Sequence, residues 1–149
     1  MPVNSPADFP RAATWSSLAI PDTERRESWK KAGDPTGWAP CGWQWDAVAI
    51  TPLAVGLDAL DRMRLSTRRG YPVLADHIRG VLYVLVAPGS CAGIEVPGVC
   101  VLSCGHQLLM PRTDYGTASA DWLSRPLEDP PPLVRAIHLV QELQKLTLA

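Results

Sequence analysis

Apolar positions along this chain fall in short runs, and the spacing inside each run predicts an element. The most apolar run, residues 81–87 (VLYVLVA), lacks alternation and predicts a central strand covered on both faces. Residues 45–50 (WDAVAI) and 71–76, with Pro72 near the start, predict two more strands. Residues 99–104 (VCVLSC) and 107–110 predict a hairpin. Gly105-His106 would form its turn, because Gly-X suits a type II′ turn.

Helical spacing appears in three places. Residues 24–32 predict a helix capped by Asp22 or Thr23. Glu24 in the first turn and Lys30 and Lys31 in the last suit the helix dipole; Gly33 suits the C′ position, and Trp29 faces the core. Pro52 opens a second helix as its first residue. There Leu53, Leu57, Leu60 and Arg64 recur as an amphipathic stripe. Gly56 costs that helix roughly 1 kcal/mol relative to Ala, and a close approach to the sheet would account for it. Residues 133–148 predict a third helix. Its face is Leu133, Ile137, Val140 and Gln144, broadened by Leu139, Leu143 and Leu146; it packs on its own chain or pairs with another. Residues 33–44 and 111–132 are rich in proline and glycine and read as loops. The sum is an α/β (α+β) fold. It has a mixed central sheet of about five to six strands and about three helices.

Composition sharpens this picture. A length of 149 residues suits one domain, read here as residues 14–149 behind an N-terminal arm of residues 1–13. The 15 prolines are about twice the usual share and exclude a long-helix bundle or coiled coil, since interior proline breaks helices. Six tryptophans accompany a single phenylalanine. Trp38, Trp43 and Trp45 lie close together, either stacking on bases or plugging a loop onto the core.

Charge and cysteine usage bound the chemistry. The net charge of −1 lacks the basic balance common in phosphate-binding proteins. The densest basic cluster is local: Arg62, Arg64, Arg68 and Arg69. It reads as a phosphate contact or as the solvated end of a helix. No apolar stretch is long enough to cross a membrane, and residues 1–10 lack the basic and apolar regions of a secretory signal, so a cytoplasmic location is expected. In that compartment Cys41, Cys91, Cys100 and Cys104 read as free thiols. Cys100-x3-Cys104-x-His106 resembles a metal motif, but on an extended strand Cys100 and Cys104 stand about 13 Å apart. That is too far for one zinc ion, so no metal and no cofactor is expected. Pro88-Gly89-Ser90 could present backbone N–H groups to a phosphate or simply turn the chain. No P-loop, dinucleotide fingerprint or nucleophile elbow is present.

Three segments together carry a resemblance. They are ATWSSLAI leading to APCGWQWDAVAITPLAVGLDALDRM; GYPVLADHIRGVLYVLVAPGS; and VPGVCVLSCGHQLLMPR with DWLSRP after it. Their order, over residues 12 to 126, resembles the N-terminal domains of actinobacterial bifunctional primase–polymerases (prim-pol domains). The resemblance implies a prim-pol-like scaffold. Active members place paired acidic residues on a strand to hold two divalent metals, with a histidine on a neighbouring strand. Such chemistry needs clustered carboxylates. Here Asp46 stands alone on its strand, Asp58 and Asp61 share a helix, and Asp114 and Asp121 sit in loops. The expectation is therefore a catalytically inactive primase–polymerase-like module. It would bind nucleic acid or nucleotide through Arg62, Arg64, Arg68 and Arg69. The alternatives are a protein-interaction or assembly module, with the C-terminal helix as its contact, and an active primase or polymerase whose metal site escapes recognition.

Overall fold

The computed structural model describes residues 16–20, 23–31, 33–66, 68–112, 116–128 and 131–148. The proposed arm (residues 1–13) and the positions of Asp22, Asp114 and Asp129 lie outside them. The chain is an α+β protein with two antiparallel sheets. Its strands are β1 (Thr36–Pro40), β2 (Asp46–Ile50), β3 (Val73–Asp76), β4 (Val81–Val86), β5 (Val99–Leu102), β6 (Gln107–Pro111) and β7 (Asp121–Ser124). Its helices are α1 (Ser16–Ala19), α2 (Thr23–Lys31), α3 (Leu53–Arg62) and α4 (Ala136–Leu148). Five strands form one sheet in the order β5-β2-β4-β3-β7, and β1 pairs with β6 in a separate ribbon.

The apolar run at 81–87 becomes the middle strand, β4, and both its faces are covered. Leu82, Val84 and Val86 point into a cluster with Val48, Ile50, Val73 and Ala75 from the sheet and Leu60, Leu139 and Leu143 from α3 and α4. Leu85 points the other way. It joins Ala47 and Leu74, Leu18 and Trp29 from α1 and α2, and Ala39, Leu108 and Met110 from the ribbon. The large sheet is thus sandwiched between a helical layer and a layer made of the ribbon with α1 and α2. Period-two alternation of the strand residues sends each side chain to one or the other core.

Several expectations are corrected. The sheet is not mixed: all its ladders are antiparallel, and among the described residues the parallel pairing is one isolated bridge, Val86 to Val134. β5 and β6 form no hairpin. β5 pairs with β2 and β6 with β1, so the Ser103–His106 turn, closed by His106 N–H to Ser103 O at 3.0 Å, passes the chain between sheets. Gly105 there has a φ of 92° at the third turn position, as in a type II turn. The segments read as loops hold β1 and β7. Two-residue alternation is too brief in TGWAP and DWLS to stand out from the surrounding glycine and proline.

The buried faces of two helices are also rotated from the expected stripes. In α3 the buried residues are Gly56, Ala59 and Leu60, while Leu57 is exposed. In α4 Leu139 and Leu143 are buried and Ile137 is 70% exposed. Small residues in α3 let the helix sit close to the sheet, so the densest packing follows Gly and Ala rather than the leucines. Pro52 is the cap residue rather than the first helical one.

Candidate functional site

The ribbon does not cover the large sheet completely. A cleft of about 380 Å³ remains between them, lined by Trp38 of β1, Gln107 of β6, Tyr83 of β4, and Asp76 and Arg79 from the β3–β4 turn. That volume is within the usual range for small-ligand sites.

Local sequence explains each part. Asp76 ends β3, is buried, and uses Oδ1 to accept the backbone N–H groups of Ile78 at 3.0 Å and Arg79 at 2.9 Å. This is the habit of aspartate at turn starts, and it fixes the backbone that carries Arg79. Tyr83 is the polar-tipped residue of the apolar run, on the face of β4 turned toward the ribbon. Burial, reinforced by Asp76 and opposed by Arg79, pushes its phenol above its ordinary pKa. It therefore stays a neutral hydrogen-bonding group at neutral pH. Trp38 pairs across the ribbon with Leu109 and is 59% exposed at the cleft. The cleft combines an aromatic face, a guanidinium, a carboxylate, an amide and a phenol.

The three neighbouring tryptophans divide. Trp45 is 1% exposed and donates from Nε1 to Leu18 O at 2.7 Å, which makes it a core residue. Trp43, 71% exposed, does not line the cleft. Arg79, Gln107 and Tyr83 carried no functional signal in the sequence, because the ribbon strands that bring Trp38 and Gln107 to the cleft lie far along the chain from the turn and strand that hold Arg79 and Tyr83.

The arginine cluster lies elsewhere. Arg62 is the last residue of α3, and Arg62, Arg64, Arg68 and Arg69 are all exposed. Arg64 has a φ of 57°. Its N–H reaches Asp61 O at 2.9 Å, and Leu65 N–H reaches Leu60 O at 3.1 Å. This pair of bonds is a Schellman motif, with Arg64 at the C′ position that usually holds glycine. The amides of Arg68 and Arg69 close a turn on Ser66. The cluster sits at the end of the helical layer, whereas Trp38 belongs to the ribbon on the opposite side of the sheet. The two features do not combine into one surface.

The carboxylates are likewise dispersed. Asp46 stands opposite Val86 and Asp76 opposite Val81, at the two ends of β4. This separates them by about 17 Å along the strand, whereas two-metal catalysis holds its ions about 4 Å apart. Among the described residues no group of three or more His, Cys, Asp or Glu side chains could hold a metal ion. Cys41 and Cys91 are buried, Cys100 and Cys104 exposed, and all four are free thiols. Gly89 of the Pro88-Gly89-Ser90 turn directs its N–H to Asp46 Oδ2 at 2.8 Å. His77 Nε2 lies 2.9 Å from Asp121 Oδ2, and His138 lies 4.0 Å from Glu142 on the same helix. Among the described residues no helix is long and apolar enough to cross a membrane. Compared with protein-family models, with curated proteins and with solved structures, the chain finds no match in any of the three.

Proposed function

We propose that this chain is a non-catalytic binding module for a nucleotide or single-stranded nucleic acid, on a primase–polymerase-like scaffold. The observation that carries the reading is one cleft lined by the exposed Trp38 together with Arg79 and Gln107. An aromatic face stacks on a base of any identity, a guanidinium takes phosphate oxygens, and the Gln107 amide and Asp76 carboxylate offer acceptors to base N–H groups. The distance between Asp46 and Asp76 supports binding over phosphoryl transfer. The resemblance of the three quoted segments to prim-pol domains favours the same class of ligand.

Fluorescence anisotropy with a fluorescein-labelled oligothymidylate, across a salt titration, tests this. Binding should weaken as salt rises. Trp38→Ala and Arg79→Ala should each weaken it by about tenfold or more, the scale of one lost stacking or charge-assisted contact. A variant carrying alanine at Arg62, Arg64, Arg68 and Arg69 should bind as the parent does. If only that variant loses affinity, the interface is the arginine cluster. If no binding occurs at low salt, the reading fails. Primer extension with Mg²⁺ or Mn²⁺ tests for catalysis, and nucleotide incorporation would overturn the non-catalytic part.

One observation favours a protein-interaction module instead. Ile137 is 70% exposed on α4, where a partner helix would cover it. Light scattering on the parent and on Ile137→Glu distinguishes the two: a dimer broken by the charge supports assembly through α4.

A further inference from the structure

Asp46 is 1% exposed and lies on the same face of β2 as Val48 and Ile50, under the loop that leads from β4 to β5. Gly89 N–H satisfies Oδ2 at 2.8 Å. Oδ1 is buried with no hydrogen-bond partner among the described residues. A second cleft, of about 420 Å³, opens beside this carboxylate, between the 89–94 loop and β5. Its walls are apolar at Ile94, Val99 and Val101, and Cys100 and Ser103 stand at its polar edge. None of the described residues lining it is basic. The nearby Cys41 and Cys91 thiols are pushed above their ordinary pKa, by burial first and by the Asp46 charge as well. They stay neutral at neutral pH.

A buried carboxylate is ordinarily paired or fully hydrogen-bonded, because desolvating an uncompensated charge is costly. Here one oxygen is satisfied by the backbone and the other is orphaned beside a ligand-sized cleft. We propose that this cleft is a binding site for a small organic cation carrying N–H donors, an alkylammonium or amidinium, whose charged head meets Asp46 and whose hydrocarbon part lies against Ile94, Val99 and Val101. The chemistry selects the class. The carboxylate accepts but cannot donate, so a cationic donor fits and an anion is repelled. The apolar walls favour a hydrocarbon body over a bare hydrated ion. The site lies under the helical-side loop and shares no residue with the Trp38 cleft, so it stands independently of the nucleotide reading.

Benzamidinium and its neutral near-isostere benzamide are the probes, followed by ¹H–¹⁵N spectra and by calorimetry on the full chain. Benzamidinium should bind once per chain, shifting the amides of residues 89–94 and 99–103, at least tenfold more tightly than benzamide. Asp46→Asn should reduce the affinity by at least tenfold. In case that variant fails to fold, Ala92→Phe fills the cleft from an exposed loop position with Asp46 unchanged, and it too should abolish binding. Equal binding of benzamide and benzamidinium would overturn the proposal. So would shifts located elsewhere, or no saturable binding at millimolar probe, in which case solvent alone completes Asp46.

Discussion

Gly56 of α3 rests directly on Leu82 of β4. A Cβ at Gly56 would lie 2.5 Å from Leu82 Cδ2 and 3.0 Å from Leu82 Cβ. The close approach that a mid-helix glycine suggested is therefore present, and it joins the helical layer to the central strand. Helix propensity alone would make Gly56→Ala stabilising by about 1 kcal/mol. Overpacking a filled core costs about 1–3 kcal/mol, and Leu82 is fully buried. The expected net result is destabilisation, read as a lower urea midpoint. An increase would show that α3 can lift from the sheet at little cost.

Gly37 plays a similar role on the other side. A Cβ there would lie 2.5 Å from Trp29 Nε1 and 2.7 Å from Arg112 Nε. The Arg112 guanidinium sits 5.6 Å from the centre of the Trp29 ring, and Nη1 donates to Asp34 O at 3.2 Å. Gly37→Ala should push the arginine off the ring, with a loss of about 1–2 kcal/mol and altered tryptophan fluorescence. Thermal and fluorescence melts check both.

Arg64 offers the reverse case. A side chain in the left-handed region costs about 1 kcal/mol, and glycine removes that cost. Arg64→Gly should stabilise the fold by about 0.5–1 kcal/mol, the remainder being lost to unfolded-chain entropy. Ala at Arg62, Arg68 or Arg69 should change stability by less than about 0.5 kcal/mol, as expected for surface positions. Chemical denaturation of the four single variants gives the comparison.

Trp45 and Trp38 should separate in the same kind of measurement. Trp45→Phe deletes the buried bond to Leu18 O and leaves a void, so a loss of about 2–3 kcal/mol is expected. Trp38→Phe should cost under about 0.5 kcal/mol, so its effect on ligand binding can be read without a folding defect. A large loss at Trp38 would mean that the ring holds the ribbon to the sheet.

Alkaline pH should destabilise the protein through Cys41. Burial, aided by Asp46 and Cys104, pushes its thiol up from 9.0 to about 12. The folded pKa exceeds the unfolded one, so the contribution is complete below pH 9.0 and is lost as pH rises toward 12. From pH 9 to 10.5 this group alone should remove on the order of 1 kcal/mol. Cys91 and Tyr83, also shifted up, add to the same slope. Cys41→Ala should flatten it in urea titrations at several pH values, and an unchanged slope would assign the loss to other groups.

The α+β class, the central place of residues 81–86, the existence of α2, α3 and α4, the burial of Trp29 and the reason for Gly56 were all legible in the chain before folding. These follow from periodicity and residue size, which act within one element. So were the residue types available for binding. How they assemble came only with the folded chain. Folding made the sheets antiparallel, split β5 from β6, and revealed β1 and β7. It also turned Ile137 outward, buried Trp45 while exposing Trp38, and set Asp46 and Asp76 at opposite ends of β4. One cause is common to all of these. Strand pairing and side-chain burial are settled by contacts between segments far apart in the chain, and no local pattern records which segment will arrive. The Trp38 cleft is the clearest instance, because its tryptophan, arginine and glutamine come from three elements that only the packing of the ribbon on the sheet brings together.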